Sequence, residues 1–336
     1  GVIIPTYNRG DFLYLALEAW RKVHQATRYR YEIIFSDDGS TDGTFDLLRS
    51  VTDLPLKVLR NEHGGPAKAR NAAIRAAVGE KLLIVGDDII PNPEIINQHF
   101  EKLRSLPVCH AVLGEVLWHP DLRVNTLMHH ITEVGREQFS YSAFPPDSYI
   151  DFCHFYTCNI SIDRDFVLSE PVIFDEAFYK VNFEDIELGY RLSLRGMKIF
   201  YYPAASGLHY HPYESVSGFC RRQETAGEMA VVFRNLHPEL EWILQVGEIQ
   251  RNWRRTATKK IVNESFVTAG DLAGLCQICE SEINGDRGDA SNILSNIYSV
   301  IFRYFYEKGV VKVALGFDEL SCDRVFRHDF FPVMEQ

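Results

Sequence analysis

The sequence predicts an α/β fold, a Rossmann-like mixed, mostly parallel sheet flanked by helices and followed by a helical C-terminal extension. Three observations predict it. Short apolar, β-rich runs near residues 2–4, 31–36, 56–60 and 81–86 alternate with helical patterns near 11–26, 42–52, 66–78 and 93–106. A βαβα order of this kind specifies parallel strands joined by covering helices. Two of the runs end in acidic doublets, Asp37-Asp38 and Asp87-Asp88, and a carboxylate at a strand's C-terminal end is how an open α/β sheet presents charge to a ligand. From about residue 215 onward the pattern is mostly helical, with a polar break at 284–289.

The elements follow in order. Thr41 and Asp42 are suited to cap the helix over 42–52, and Gly64-Gly65-Pro66 breaks the chain so that Pro66 opens the next helix. Beyond 105 the pattern is mixed. Ala111–Trp118 reads as a strand, 139–156 as an aromatic, proline-containing loop and Thr157–Ile162 as another strand. Residues 184–195 read as a helix, and 198–202 as a strand ending at Pro203.

Composition narrows the class. With 336 residues, 46% hydrophobic and 24% charged, the chain is an ordinary globular protein of one or two domains. A net charge of −11 disfavours a general nucleic-acid binder, so no nucleic-acid partner is expected. No run of eighteen apolar residues predicts a membrane span. Seven scattered cysteines fit a reducing cytoplasm rather than a disulfide framework. Cys276 and Cys279 form a CxxC pair with no partner pair at zinc spacing, and read as two buried thiols one helical turn apart. The chain opens inside an apparent strand at Val2, which reads as a sequence whose natural start lies further upstream.

Four segments carry the chemistry: Val2-Ile3-Ile4-Pro5-Thr6-Tyr7-Asn8-Arg9, Asp37-Asp38-Gly39-Ser40-Thr41-Asp42, Gly65-Pro66-Ala67-Lys68-Ala69-Arg70-Asn71 and Gly86-Asp87-Asp88. Taken alone, Asp38 is suited to accept a hydrogen bond from a base or a ribose, whereas Asp37 and Ser40 are equally suited to order a turn. Asp87-Asp88 is suited to hold a divalent cation, or equally to sit in a solvated turn. In this order and spacing the four segments resemble glycosyltransferase family 2, inverting enzymes of GT-A fold that use nucleotide-activated sugars. The resemblance spans roughly residues 1–215.

The resemblance implies roles position by position. Pro5, Thr6, Tyr7 and Arg9 would line the nucleotide, Asp38 would bind the base, most often uracil, and Arg70 would lie near the base or diphosphate. Asp87 would contact the ribose and Asp88 would ligate Mn²⁺ or Mg²⁺. Gly86 stands where the family's metal motif has its first acid, which is why the ribose contact falls to Asp87. His209, with His211 as alternative, would lie close to the metal or diphosphate. Asn182–Leu192 resembles the family's acceptor-side Glu-Asp motif, making Asp185 the general base and Glu184 its acceptor-binding or orienting partner. Without the resemblance, Glu184 and Asp185 would simply suit a helix N-terminus, and Glu187 and Arg191 a surface pair.

The acceptor side is less legible. Trp118, Phe152, His154, Phe155 and Tyr156 are suited to stack on sugar rings or to fill the core, and Asn159 is suited to reach a sugar hydroxyl. Arg221 and Arg222 are placed for a loop that closes over the diphosphate, or for a solvated face. The expected organisation is a GT-A catalytic domain over 1–215, made of a nucleotide-sugar-binding half (1–105) and an acceptor half (106–215), and a helical extension over 216–336. That extension would pack on the catalytic domain or on a second subunit as a homo-oligomer. The basic cluster Arg251, Arg254, Arg255, Lys259 and Lys260 is suited to peripheral contact with the inner face of a membrane. The expected partners are a nucleotide-sugar donor, with UDP as the nucleotide, and a glycan, glycolipid or glycoprotein acceptor. The alternatives are a retaining GT-A transferase with a small acceptor and a non-catalytic nucleotide-sugar-binding subunit of a complex.

Overall fold

The computed structural model describes residues 1–10, 12–252, 269–284 and 290–316. Among these, nine strands form one mixed sheet: β1 (Val2–Thr6), β2 (Ile33–Asp37), β3 (Leu56–Arg60), β4 (Lys81–Val85), β5 (Ile89–Pro91), β6 (Ala111–Trp118), β7 (Ser148–Ile150), β8 (Asn159–Asp163) and β9 (Ile199–His209). The order is β3-β2-β1-β4-β8-β6-β9-β5, with β7 paired on β9. The first four strands are parallel, and β8 then runs antiparallel to both β4 and β6.

Helices α1 (Leu13–Ala26), α2 (Thr44–Ser50), α3 (Pro66–Ala76) and α4 (Ile95–Arg104) connect the N-terminal strands. The apolar runs of β1, β2 and β4 are buried along nearly their whole length, as expected for parallel strands covered on both faces. The chain winds outward from β1 to β3 and then crosses to β4 on the other side of β1. The crevice beyond the C-terminal ends of β1 and β4 is therefore the topological switch point, where α/β sheets bind ligands.

Local chemistry adjusts several expected elements. Asp42 does serve the start of α2, since its Oδ1 accepts the Thr44 N–H at 3.0 Å. Thr41 instead donates its own N–H to Asn8 Oδ1 at 2.9 Å. Pro66 opens α3. Strand β9 runs through Pro203 rather than ending there. Its register against β6 jumps from Gly114↔Tyr202 to Val116↔Gly207, so the proline falls in a bulge where no ladder N–H is required. Short β5, β7, α5 (Thr126–His129) and α6 (Arg164–Leu168) carried too little periodicity to be read from sequence.

By contacts the chain divides into two compact units. The first comprises Gly1–Arg123, Ser140–Lys180 and Glu184–His211, and includes the whole sheet and α7 (Glu184–Leu194). The second comprises Val124–Phe139, Val181–Phe183 and the chain from Pro212. The sequence reading places 124–139 in the acceptor half; by contacts the segment groups with the C-terminal helices. Within this second unit, the Thr126 N–H bonds the Ile283 carbonyl at 3.0 Å, and the His130 ring lies 5.2 Å from Tyr298.

Its main pair is α8 (Val216–Leu236) and the C-terminal helix Ala290–Leu315, with α9 (Glu241–Leu244) and α10 (Ala269–Glu282) between them in sequence, so the C-terminal helix is α11. Gly227 of α8 and Gly309 of α11 let the two backbones meet, because a Cβ at either would strike the other helix's main chain at Tyr306 or Glu224. Lys308 and Lys312 pair with Glu224 and Glu228 across the contact. Tyr298, Phe302 and Phe305 are buried within the unit, with Phe302 against Phe219 at 4.7 Å. Cys276 and Cys279 are both buried in α10. Of the basic cluster, Arg251 is exposed, and Arg254, Arg255, Lys259 and Lys260 lie outside the described residues. Among the described residues no helix is long and apolar enough to cross a membrane.

Candidate active site

The site forms where β1, β2 and β4 end. Register pairs Thr6 with Asp37, so Tyr7 and Asp38 leave the sheet side by side, and the Asp38 N–H donates to the buried Thr6 carbonyl at 2.9 Å. Pro5, opposite Ser36, is half-buried one residue earlier. Asn8 then takes a left-handed conformation (φ 51°), one that Asn tolerates better than most residues. Its N–H donates to Ser40 Oγ at 2.8 Å, the Arg9 N–H to Thr44 Oγ1 at 2.8 Å and the Gly10 N–H to Asp42 Oδ2 at 2.9 Å. The Ser40–Thr44 segment thus works as scaffolding that holds the loop after β1. Asp37 belongs to the same scaffold, since its fully buried carboxylate accepts the Ser40 N–H.

This scaffold aims Arg9 across the switch point at the acids that follow β4. Arg9 Nε lies 3.3 Å from the Asp87 carboxylate and Nη2 lies 3.6 Å from Asp88 Oδ2. Strand β5 pairs Ile89 with His209, and this register sets His209 Nε2 3.3 Å from Asp88 Oδ2. His209 is itself held between Trp118 and His211, with centroids at 5.2 and 5.8 Å. The two acids diverge in their affinity for protons. Burial, and then the charge of Asp88, raise Asp87 to about 6 against the pull of Arg9. Burial would raise Asp88 too, but His209 and Arg9 outweigh it and hold this carboxyl well below the usual range.

Asp38 is buried, and its carboxylate accepts the N–H groups of Gly64 and Gly65 at 3.0 and 2.9 Å. The His63 ring nitrogen bonds the Asp38 main-chain carbonyl and lies 2.9 Å from this carboxylate, and the ring stacks on Tyr7. Sequence reasoning passed over His63, which stands in the His63-Gly64-Gly65 turn leading into α3.

Glu184 and Asp185 open α7. Glu184 is buried and bonds Arg70 Nη1 at 2.7 Å, so in this structure the Arg70 guanidinium faces the helix start and lies over the Phe174 ring. Asp185 Oδ1 accepts the Ile186 N–H at 2.8 Å, and Oδ2 faces the Thr157 N–H and hydroxyl, each at 3.4 Å. Burial, and then Glu184, raise its carboxyl to about 6, with Arg70 pulling the other way. The two residues before the helix, Asn182 (φ 126°) and Phe183 (φ 68°), have backbones that non-glycine residues rarely adopt, the kind of strain that clusters at functional sites.

One short peptide joins the two acidic pairs. The Cys158 carbonyl accepts the Gly86 N–H at 3.1 Å, directly before Asp87, while the preceding Thr157 holds Asp185. The charges of both Asp88 and Asp185 reach the Cys158 thiol, although burial is the larger cause that pushes it up to about 12.

Several other expected residues lie elsewhere. Asn159 is fully buried, with its amide donating to the Ala205 and Glu115 carbonyls and its Oδ1 facing His99 Nε2; it is part of the core and does not reach a ligand. Phe155 is also core. Phe152 packs on Tyr190, His154 lies edge-on to Phe144, and Tyr156 lies edge-on to Tyr141. Arg221 and Arg222 lie within helix α8 rather than on a loop, with Arg222 over the Tyr213 ring. Glu187 and Arg191 form a two-pronged pair at 2.6 and 2.9 Å.

A mixed sheet with acids gathered at its switch point is an α/β protein with a candidate ligand crevice at its strand ends. The family comparison carries this further: the profile described as Glycosyl transferase family 2 matches residues 1–163, and that part of the chain is a glycosyltransferase family 2 domain. The validoxylamine A glucosyltransferase of Streptomyces hygroscopicus subsp. jinggangensis is 30% identical over 220 residues, 58% of this chain. The match spans only 51% of that enzyme's own length. Among solved structures, the mannosyltransferase PcManGT from Pyrobaculum calidifontis, in complex with GDP-Man and Mn²⁺, aligns over 94% of this chain and 87% of its own, with TM-score 0.57 and 17% identity. Residues 1–349 of S. aureus TarS, in complex with UDP, align over 94% and 91% with TM-score 0.50 and 17% identity. At such identities these structures speak for the fold alone.

Proposed function

We propose that the chain is an inverting, metal-dependent glycosyltransferase. It moves a sugar from a UDP-sugar to a hydroxyl of a glycan, glycolipid or glycoprotein, with Asp185 as general base. The observation that carries this reading is the Thr157-Cys158 peptide, which ties Asp185 to the strand end that bears Asp87 and Asp88. Donor and acceptor chemistry thereby share one cleft. The solved neighbours with UDP, or with GDP-Man and Mn²⁺, are consistent with it.

In this reading Tyr7 and Asp38 take the base, Asp87 the ribose, and Arg9 and Arg70 stand toward the diphosphate side. Asp88 and His209 suit a divalent cation. Their ligand atoms face each other at 3.3 Å, Asp88 stays ionised, and the carboxylate–imidazole set fits Mn²⁺, or Mg²⁺ through the carboxylate. No group of three such side chains stands together among the described residues, so the donor's own oxygens would complete the shell. The cation would neutralise charge on the diphosphate as the sugar–phosphate bond breaks.

Asp185 takes the proton from the acceptor hydroxyl as that oxygen attacks the anomeric carbon from the side opposite the leaving diphosphate. One displacement inverts the anomeric centre. Arg70 fixes Glu184, which orients the base or binds the acceptor. The test is a screen of nucleotide sugars with Mn²⁺ and with EDTA, followed by NMR of the product. A metal-dependent product of inverted configuration is expected; retained configuration would refute the Asp185 role, and indifference to EDTA the Asp88 role.

A further inference from the structure

The loop between β3 and α3 folds back over Asp38, supplies two hydrogen-bond donors to its carboxylate and sets a ring nitrogen against it. The donors are backbone groups, the N–H of Gly64 and that of Gly65. The ring is that of His63, whose Nδ1 hydrogen-bonds the Asp38 main-chain carbonyl at 3.1 Å and lies 2.9 Å from Asp38 Oδ2. Because Nδ1 faces two acceptors, it carries the hydrogen. The same ring stacks on Tyr7, with centroids 4.5 Å apart and planes 26° from parallel. The two partners differ sharply in exposure: the Asp38 side chain is 5% exposed, the His63 side chain 62%.

A flat nitrogen heterocycle, stacked on a tyrosine with a ring nitrogen 2.9 Å from a buried carboxylate, stands where the donor-site reading puts a nucleobase. We propose that His63 is a built-in stand-in for the donor's base: it occupies the base position when no nucleotide is bound and swings out when one arrives. The proposal rests on the donor-site reading above.

The exchange is physically economical. The Gly64 and Gly65 N–H groups bond the Asp38 carboxylate throughout, so departure of the imidazole does not strip it of those hydrogen bonds. The two backbone donors need not move, so the loop and the start of α3 stay in place. The imidazole, mostly in solvent already, gives up little packing when it rotates away. The exchange also filters the ligand. A base whose ring nitrogen carries a hydrogen, as uracil does at N3, takes the imidazole's place and gives the carboxylate a further donor. One that presents a lone pair at that nitrogen, as cytosine does, meets the carboxylate with repulsion.

Isothermal titration of the full chain with UDP tests this directly. Removal of a competitor that makes one hydrogen bond and one stacking contact should tighten UDP binding in His63→Ala by roughly three- to tenfold. In the unaltered chain, addition of UDP should shift the His63 ring-proton NMR signals to solvent-like positions, as the ring leaves the face of Tyr7. Weaker or unchanged UDP binding in His63→Ala would overturn the proposal, since His63 would then be a contact of the base or a bystander. Ring signals unmoved by bound UDP would overturn it as well, and that measurement does not depend on the variant folding. If the unaltered chain bound no nucleoside diphosphate, the donor-site reading itself would fall, and this proposal with it.

Discussion

Two adjacent acid pairs line the cleft, and nearly the same residue types behave differently in each. In Asp87-Asp88, Arg9 reaches both acids, at 3.3 Å from Asp87 and 3.6 Å from Asp88, whereas His209 reaches the second, which is held as an anion. In Glu184-Asp185, Arg70 bonds the first acid, and Asp185 accepts from N–H groups and a hydroxyl. Burial, and then the Glu184 charge, raise Asp185 to about 6. A carboxylate that stays charged suits cation binding, and one that titrates near neutrality suits proton transfer. His209 beside Asp88, and Arg70 on Glu184 rather than bonded to Asp185, separate the two proposed roles.

The sharpest way to break this contrast is Asp185→Asn. Sugar transfer should fall by roughly 10²–10⁴-fold, the usual worth of a general base, while UDP binding by calorimetry stays unchanged. Residual transfer near the normal rate would move the base elsewhere. Next in size, Asp88→Asn should reduce transfer by roughly 10²-fold, the scale of a few kcal/mol of charge stabilisation. It should also abolish any strengthening of UDP binding by Mn²⁺; if the Mn²⁺ effect persisted, Asp88 would not be the cation's anchor.

A smaller effect concerns pH. Asp185 must be ionised to accept a proton, so transfer should decline as pH falls through about 6. Glu184 disfavours the ionised form of its neighbour, so Glu184→Gln should lower the Asp185 carboxyl and move that acid limb to lower pH, by about one unit. A pH–rate profile reads this shift, and a limb that moved upward would contradict the assigned coupling. The smallest change belongs to Asp37, the buried acid of the scaffold. Asp37→Asn should cost about 1 kcal/mol of stability through weakened bonds to the Ser40 N–H. UDP affinity should be preserved, with urea unfolding and calorimetry as the readouts.

The N-terminal half was legible because its signals are local. Buried parallel strands read as continuous apolar runs, Pro66 marks a helix start, and the acids that close β2 and β4 stand out against their hydrophobic neighbours. Pro203 misled because its lack of an N–H disqualifies it from a regular ladder, and the bulge that accommodates it exists only through pairing with β6. Asn159 misled for a similar reason. A polar residue near an expected acceptor strand resembles a ligand contact until the Ala205 and Glu115 carbonyls and His99 are seen to satisfy it in the core. His63 was missed because nothing in an exposed turn announces that the turn will fold over a buried aspartate.

The sequence by itself determined the parallel strand–helix order, the placement of acids at strand ends, and the family of the first half of the chain, since each is written in runs of a few neighbouring residues. Tertiary structure alone decided that His209 meets Asp88, that Arg70 faces Glu184, and that His63 covers Asp38. It also decided that Gly227 and Gly309 allow two helices of the C-terminal unit to touch. Partners such as Arg70 and Glu184 lie 114 residues apart in sequence. Their charges set proton affinity only through distance and burial in the folded chain, quantities that no local pattern encodes.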